Sequence, residues 1–98
     1  MRQGNLLLEV LAKAIHLGAQ MVEIEYKDGC ERVFAMRNGL GVGIATFKGP
    51  EARALREVLS DQPRKKQRFV VDGKQYEYRV QVYDSFNEAA FRIRFKPV

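Results

Sequence analysis

The sequence predicts an α+β fold: a mainly antiparallel six-stranded sheet in two meanders, ordered α-βββ-α-βββ, with two helices packed on one face. Three observations lead there. Two segments carry apolar residues at spacings of three and four, several others alternate apolar and polar residues with a period of two, and Asp28-Gly29, Asn38-Gly39 and Asp72-Gly73 punctuate the alternating stretches. Each of those dipeptides suits a two-residue hairpin, whose central positions both need positive φ.

The first helix is expected over about Leu6–Leu17. Asn5 is a good cap, and Leu7, Val10, Leu11, Ala14 and Ile15 form one stripe. Gly18 follows where a left-handed ending suits glycine. Met21–Lys27 then alternates, with Val22, Ile24 and Tyr26 on one side and Glu23, Glu25 and Lys27 on the other. A second strand near Arg32–Arg37 and a third over Leu40–Phe47 complete the first meander. Gly49-Pro50 starts the second helix, Glu51 complements its positive end, and Ala52, Leu55, Val58 and Leu59 are its buried stripe. Pro63 ends it. Strands follow at Gln67–Val71 and Lys74–Tyr83, then a loop at Asp84–Asn87 and a last strand at Glu88–Lys96, whose Phe91, Ile93 and Phe95 point inward. Tight hairpins make the strands largely antiparallel. The two halves look alike, as any two hairpin meanders do, without residue-level identity that would indicate duplication.

Ninety-eight residues suit one domain, 1–98. The 46% apolar and 30% charged content is that of a globular chain. No apolar run approaches the roughly 20 residues needed to span a bilayer, and Leu6-Leu7-Leu8 runs into Glu9 with no cleavage site behind it. The single cysteine, Cys30, cannot form an internal disulfide, which favours the cytoplasm. The net charge is +5, and its distribution is uneven: residues 1–50 hold six basic and five acidic groups, residues 51–98 eleven and seven.

No residues converge on a reaction, so the chain is expected not to be an enzyme and to need no cofactor. Gly39-Leu40-Gly41-Val42-Gly43 continues into a strand, whereas a phosphate cradle needs a helix N-terminus immediately after it. One histidine, His16, and one cysteine make a poor metal set, so no metal site is assigned. His16 instead suits a helix C-terminus. Cys30 has no base placed to act with it. Glu23 and Glu25 share a strand face as paired carboxylates would, but Arg79, Arg92 and Arg94 in other strands offer them ion pairs.

The excess positive charge lies in Arg64, Lys65, Lys66 and Arg68, and again in Arg92, Arg94 and Lys96. These seven are the candidate partner-binding residues, for an acidic protein surface or for phosphate. The spacing of Arg64 and Arg68 resembles the arginine motif of PilZ domains, which bind cyclic di-GMP. Those domains also need an Asp/Asn-x-Ser-x-x-Gly motif, and Asp84-Ser85-Phe86-Asn87-Glu88 does not match it. Tyr83 and Phe86, near a loop, are the aromatics best placed to stack on a base.

The order of motifs also resembles the N-terminal domain that precedes the motor domain of type II secretion and type IV pilus ATPases. There a Leu-rich helix ends in Gly-Ala-Ser-Asp-Ile-His-Ile-Glu, to which Gly18-Ala19-Gln20-Met21-Val22-Glu23-Ile24-Glu25 is similar. Arg32–Gly39 resembles the family's Arg-Val-x-x-Arg-x-Asp-Gly. Arg79-Val80-Gln81-Val82-Tyr83 and Phe91–Pro97 resemble its closing strands. The departures are Met21 and Glu23 in place of Asp and His, and Asn38 in place of the turn aspartate. No motor-domain motif is present. The resemblance implies a PAS-like antiparallel sheet, with a role either in docking on such a motor ATPase or as an adaptor recruited elsewhere. The leading expectation is thus a non-catalytic module binding a protein partner. The alternative is a nucleic-acid-binding or cyclic-dinucleotide-binding domain using Arg64–Arg68. A free strand edge also allows a homodimer.

Overall fold

The structure is a computed structural model that describes residues 3–61, 66–85 and 87–98. The described residues form α1 (Gln3–His16), β1 (Met21–Lys27), β2 (Cys30–Arg37), β3 (Leu40–Lys48), α2 (Gly49–Asp61), β4 (Gln67–Val71), β5 (Lys74–Ser85) and β6 (Glu88–Pro97). The order is the expected one.

All six strands join one antiparallel sheet, ordered β3-β2-β1-β6-β5-β4. The two meanders meet where β1 pairs with β6, from Met21 opposite Arg94 to Ile24 opposite Phe91. They are not copies of each other. The successive antiparallel pairings make β4 run opposite to β1, so no superposition keeps strand order, direction and covered face together.

The hairpins form as their sequences require. Asp28, Asn38 and Asp72 have φ of 55°, 53° and 53°, and the glycine after each is also positive. Gly18, at φ 76°, ends α1. The amide of Ala19 donates to Ala14 O at 3.0 Å and that of Gly18 to Ile15 O at 2.9 Å, a Schellman ending.

Three boundaries differ from expectation by two residues or more. α1 begins at Gln3, so Asn5 lies inside it and not at its cap. No proline blocks the extra turn, and one glycine costs only about 1 kcal/mol. β2 begins at Cys30, directly after its turn. Asp84 and Ser85 belong to β5, and Ser85 pairs with Glu88, so the expected loop at Asp84–Asn87 loses its first two residues to the strand. Pro63, expected to end α2, lies outside the described residues.

Both helices cover the same sheet face. α2 carries the chain from β3 at one edge to β4 at the other. Leu6, Leu7, Val10, Leu11 and Ala14 of α1 and Leu55 and Leu59 of α2 pack on Val22, Ile24, Val33, Ala35, Phe69, Tyr78, Val80, Phe91 and Ile93. Each fully buried leucine or isoleucine contributes roughly 1.5–3 kcal/mol. Among the described residues one charged side chain is fully buried in this layer: Glu31 is 2% exposed, in phase with Val33 and Ala35. Arg56 of α2 answers it with Nε–H donating to Oε2 at 2.6 Å and Nη2–H to Oε1 at 3.1 Å. The same Nη2 donates to Ala89 O at 3.0 Å, and the guanidinium lies over the Phe91 and Tyr26 rings.

Candidate functional site

The opposite face of the sheet carries no helix among the described residues. Its side chains are the other phase of the same strands, and the register sorts them into rows across the sheet. One row is Arg68, Glu77 and Lys96, on β4, β5 and β6. The next is Arg79, Arg94, Met21, Met36 and Gly41, running from β5 to β3. A third is Gln81, Arg92, Glu23, Phe34 and Gly43.

The rows unite two clusters that are far apart in the chain. Lys66 Nζ lies 3.3 Å from Glu77 Oε2, and Lys96 Nζ lies 3.6 Å from the same oxygen. Partial burial of Glu77 raises its pKa, but the hydrogen bonds and charges of Lys66 and Lys96 outweigh that and hold it below its ordinary value of 4.5. Arg68, exposed, sits beside Glu77 on β4. Arg64 and Lys65 lie outside the described residues.

Arg79 and Arg94 face each other directly across β5 and β6, and both are exposed. Neither has an ion pair or side-chain hydrogen bond among the described residues. Like charges directly opposite one another destabilise a sheet by roughly 0.2–1 kcal/mol. Both line a shallow concavity of about 710 Å3, together with Lys66, Glu77, Gln81 and Lys96. The arrangement can hold an anionic group by two guanidinium forks flanked by two ammonium groups.

The third row is internally satisfied. Arg92 Nε–H donates to Glu23 Oε2 at 3.1 Å, and the Arg92 guanidinium lies 4.7 Å from the Tyr83 ring centroid. Tyr83 Oη donates to Glu23 Oε1 at 3.4 Å. Burial first, then the carboxylates of Glu23 and Glu25, push the Tyr83 pKa up, and Arg92 only partly opposes them. Of the seven candidates, then, Arg92 is committed within the chain, Lys66 and Lys96 share one counter-ion, and Arg94 has no partner among the described residues. Tyr83, expected to be free for stacking, is clamped under Arg92. Phe86 lies outside the described residues.

Sequence reasoning placed Arg79 as a partner for Glu23 or Glu25. The register sets it against Arg94 instead, and no linear signal could have revealed that. The Glu31–Arg56 pair was also missed, although Glu31 shares the inward phase of β2, which was signal enough.

The remaining candidates carry little chemistry. His16 Nε2 lies 2.7 Å from Asp72 Oδ2, with both side chains more than half exposed. Cys30 Sγ lies 3.7 Å from Asp28 O. No group of three metal-ligating side chains comes together among the described residues. Gly39–Gly43 is the turn and strand start it was expected to be, and a Cβ on Gly41 would meet Met36 Sδ at 2.9 Å. No helix among the described residues is long and apolar enough to cross a membrane. Comparison with protein-family models finds no match for this chain, and comparison with curated proteins finds none either.

Proposed function

We propose that this chain is a non-catalytic adaptor that captures an acidic protein partner on the open face of its sheet. The observation that carries the reading is the Arg79–Arg94 pair: two exposed guanidinium groups side by side, each without a counter-charge among the described residues, beside Lys66 and Lys96. Such a pair costs folding free energy, and a partner's carboxylates would recover it. The resemblance to the N-terminal domain of secretion and pilus motor ATPases fits this reading, and the surface of such a motor is the partner it suggests.

Two features favour a protein over a nucleic acid. Glu77 and Glu23 interrupt the basic face, which suits a patterned partner better than a uniform polyanion. Tyr83, the described aromatic nearest the turn, is occupied by Arg92 and Glu23, so it offers no free ring for a base.

The test is a fluorescence titration of a labelled peptide alternating glutamate and valine against a single-stranded oligonucleotide of equal charge, at low and high salt. The peptide should bind more tightly, and Arg79→Glu with Arg94→Glu should abolish its binding while the far-ultraviolet spectrum stays unchanged. Binding of the oligonucleotide alone, weakening steeply with salt, would establish the nucleic-acid reading instead.

A further inference from the structure

The sheet protects its edges unequally. At β3, the pairing with β2 slips between Val33 and Phe34, leaving a bulge at Ile44, and Lys13 Nζ caps the Ile44 carbonyl at 2.9 Å. A bulge and a lysine are both devices that prevent a further strand from adding. At the other edge β4 is only five residues long. Its pairing with β5 stops at Gln67 opposite Tyr78, while β5 continues to Ser85. Beyond Tyr78, therefore, β5 has β6 on one side and, among the described residues, no strand on the other.

The direction of the free backbone groups follows from the hairpins. The amide of Val98 donates to Gln75 O at 3.0 Å, so Gln75 faces β6, as do the alternate residues through Ser85, which stands opposite Glu88. Val80, Val82 and Asp84 hence turn their N–H and C=O groups outward. Val80 is buried, but Val82 is 50% exposed and Asp84 is exposed, and no described residue bonds the outward backbone groups of either.

We propose that an extended acidic segment of the partner adds as an antiparallel strand along residues 81–85 of β5, on the exposed edge beyond the end of β4. The inference rests on the reading above and gives it a binding mode. Strand addition supplies affinity through main-chain hydrogen bonds and specificity through alternate side chains. On one side of the added strand the side chains would meet Arg79, Gln81 and Arg94. On the other they would meet Val82 and Leu59, which line the same concavity. The segment should therefore alternate acidic and apolar residues. An acidic segment complements Arg79 and Arg94 better than a second copy would, since a second copy carries the same net charge of +5.

The test uses the glutamate–valine peptide in two N-methylated forms, one methylated at its valine amides and one at its glutamate amides. In an antiparallel addition, the residue opposite Val82 shares its side-chain face and points its N–H toward β5. Methylation of the valines should weaken binding roughly tenfold or more, and methylation of the glutamates should leave it unchanged. Hydrogen exchange at the Val82 and Asp84 amides should slow in the complex with the unmodified peptide. If Arg79→Glu with Arg94→Glu abolishes binding but both methylated forms bind alike, or the glutamate form is the weaker, strand addition is overturned and the charged face stands. Failure of the unmodified peptide to bind overturns both. A dimer in sedimentation that Val82→Pro dissolves would put a second copy on this edge and overturn the acidic occupant.

Discussion

The same two residue types, glutamate and arginine, pair on both faces of the sheet to different ends. On the helix-covered face Glu31 and Arg56 meet in two hydrogen bonds, with the carboxylate 2% exposed. On the open face Glu23 and Arg92 meet through one bond at 3.1 Å, with side chains 17% and 28% exposed. The first pair ties α2 to β2 inside an apolar layer, and its value lies in what would be stranded if one member left. The second fixes side-chain positions on a surface that water reaches. Beside it, Arg79 and Arg94 have no counter-charge among the described residues. One face is optimised for folding, the other tolerates strain.

The sharpest way to break the contrast is Arg56→Ala. It leaves the Glu31 carboxylate buried without its counter-ion, and chemical denaturation should show a loss of about 3–5 kcal/mol. Replacing both Glu31 and Arg56 with methionine should recover most of that loss, because no charge is then left unpaired. Arg92→Ala on the open face should cost about 1 kcal/mol in the same assay, since Glu23 keeps access to water. Arg79→Glu should reverse the sign: an opposite-charge pair with Arg94 replaces a like-charge one, and stability should rise by roughly 0.2–1 kcal/mol even as binding of an acidic peptide falls. An outcome in which Arg79→Glu destabilises would show that the two guanidinium groups are not in conflict.

The smallest effect is on pH dependence. Glu77 has a folded pKa below 4.5, held there by Lys66 and Lys96 despite the burial that opposes it. A depressed carboxylate contributes stability that is fully present above its unfolded pKa and is lost as pH falls through the folded value. Melting curves of the native chain and of Glu77→Gln should therefore differ near neutrality and converge as pH falls through the folded pKa of Glu77, which lies below 4.5.

Most of the fold was legible because its signals are local. Asp28-Gly29, Asn38-Gly39 and Asp72-Gly73 adopt the positive φ angles that their side chains and position favour, and the inward phases of β1, β5 and β6 were visible in the alternation. The helix start was not, because nothing in Gln3-Gly4-Asn5 stops a helix from gaining a turn. Nor was the seam between the meanders, which depends on residues about seventy positions apart. The candidate site fell between these cases. Lys66, Arg94 and Lys96 stood out by charge, but Arg79 gained its meaning only from the register that sets it against Arg94. Val82 was read as inward-facing and is half exposed, because β4 ends before reaching it. Strand length, unlike strand phase, is decided by the neighbour.

The seam between β1 and β6 has a consequence for the order of assembly. Of the six strands, the last to be synthesised lies at the middle of the sheet, bonded to the first. Until it emerges, β1 presents a bare hydrogen-bonding edge and the apolar undersides of α1 and α2 have half a platform to rest on. Closing so long a loop is slow compared with forming a hairpin, so the pairing of Met21–Ile24 with Phe91–Arg94 should be the late, rate-determining event, and the nascent chain before it is the form that a chaperone would meet.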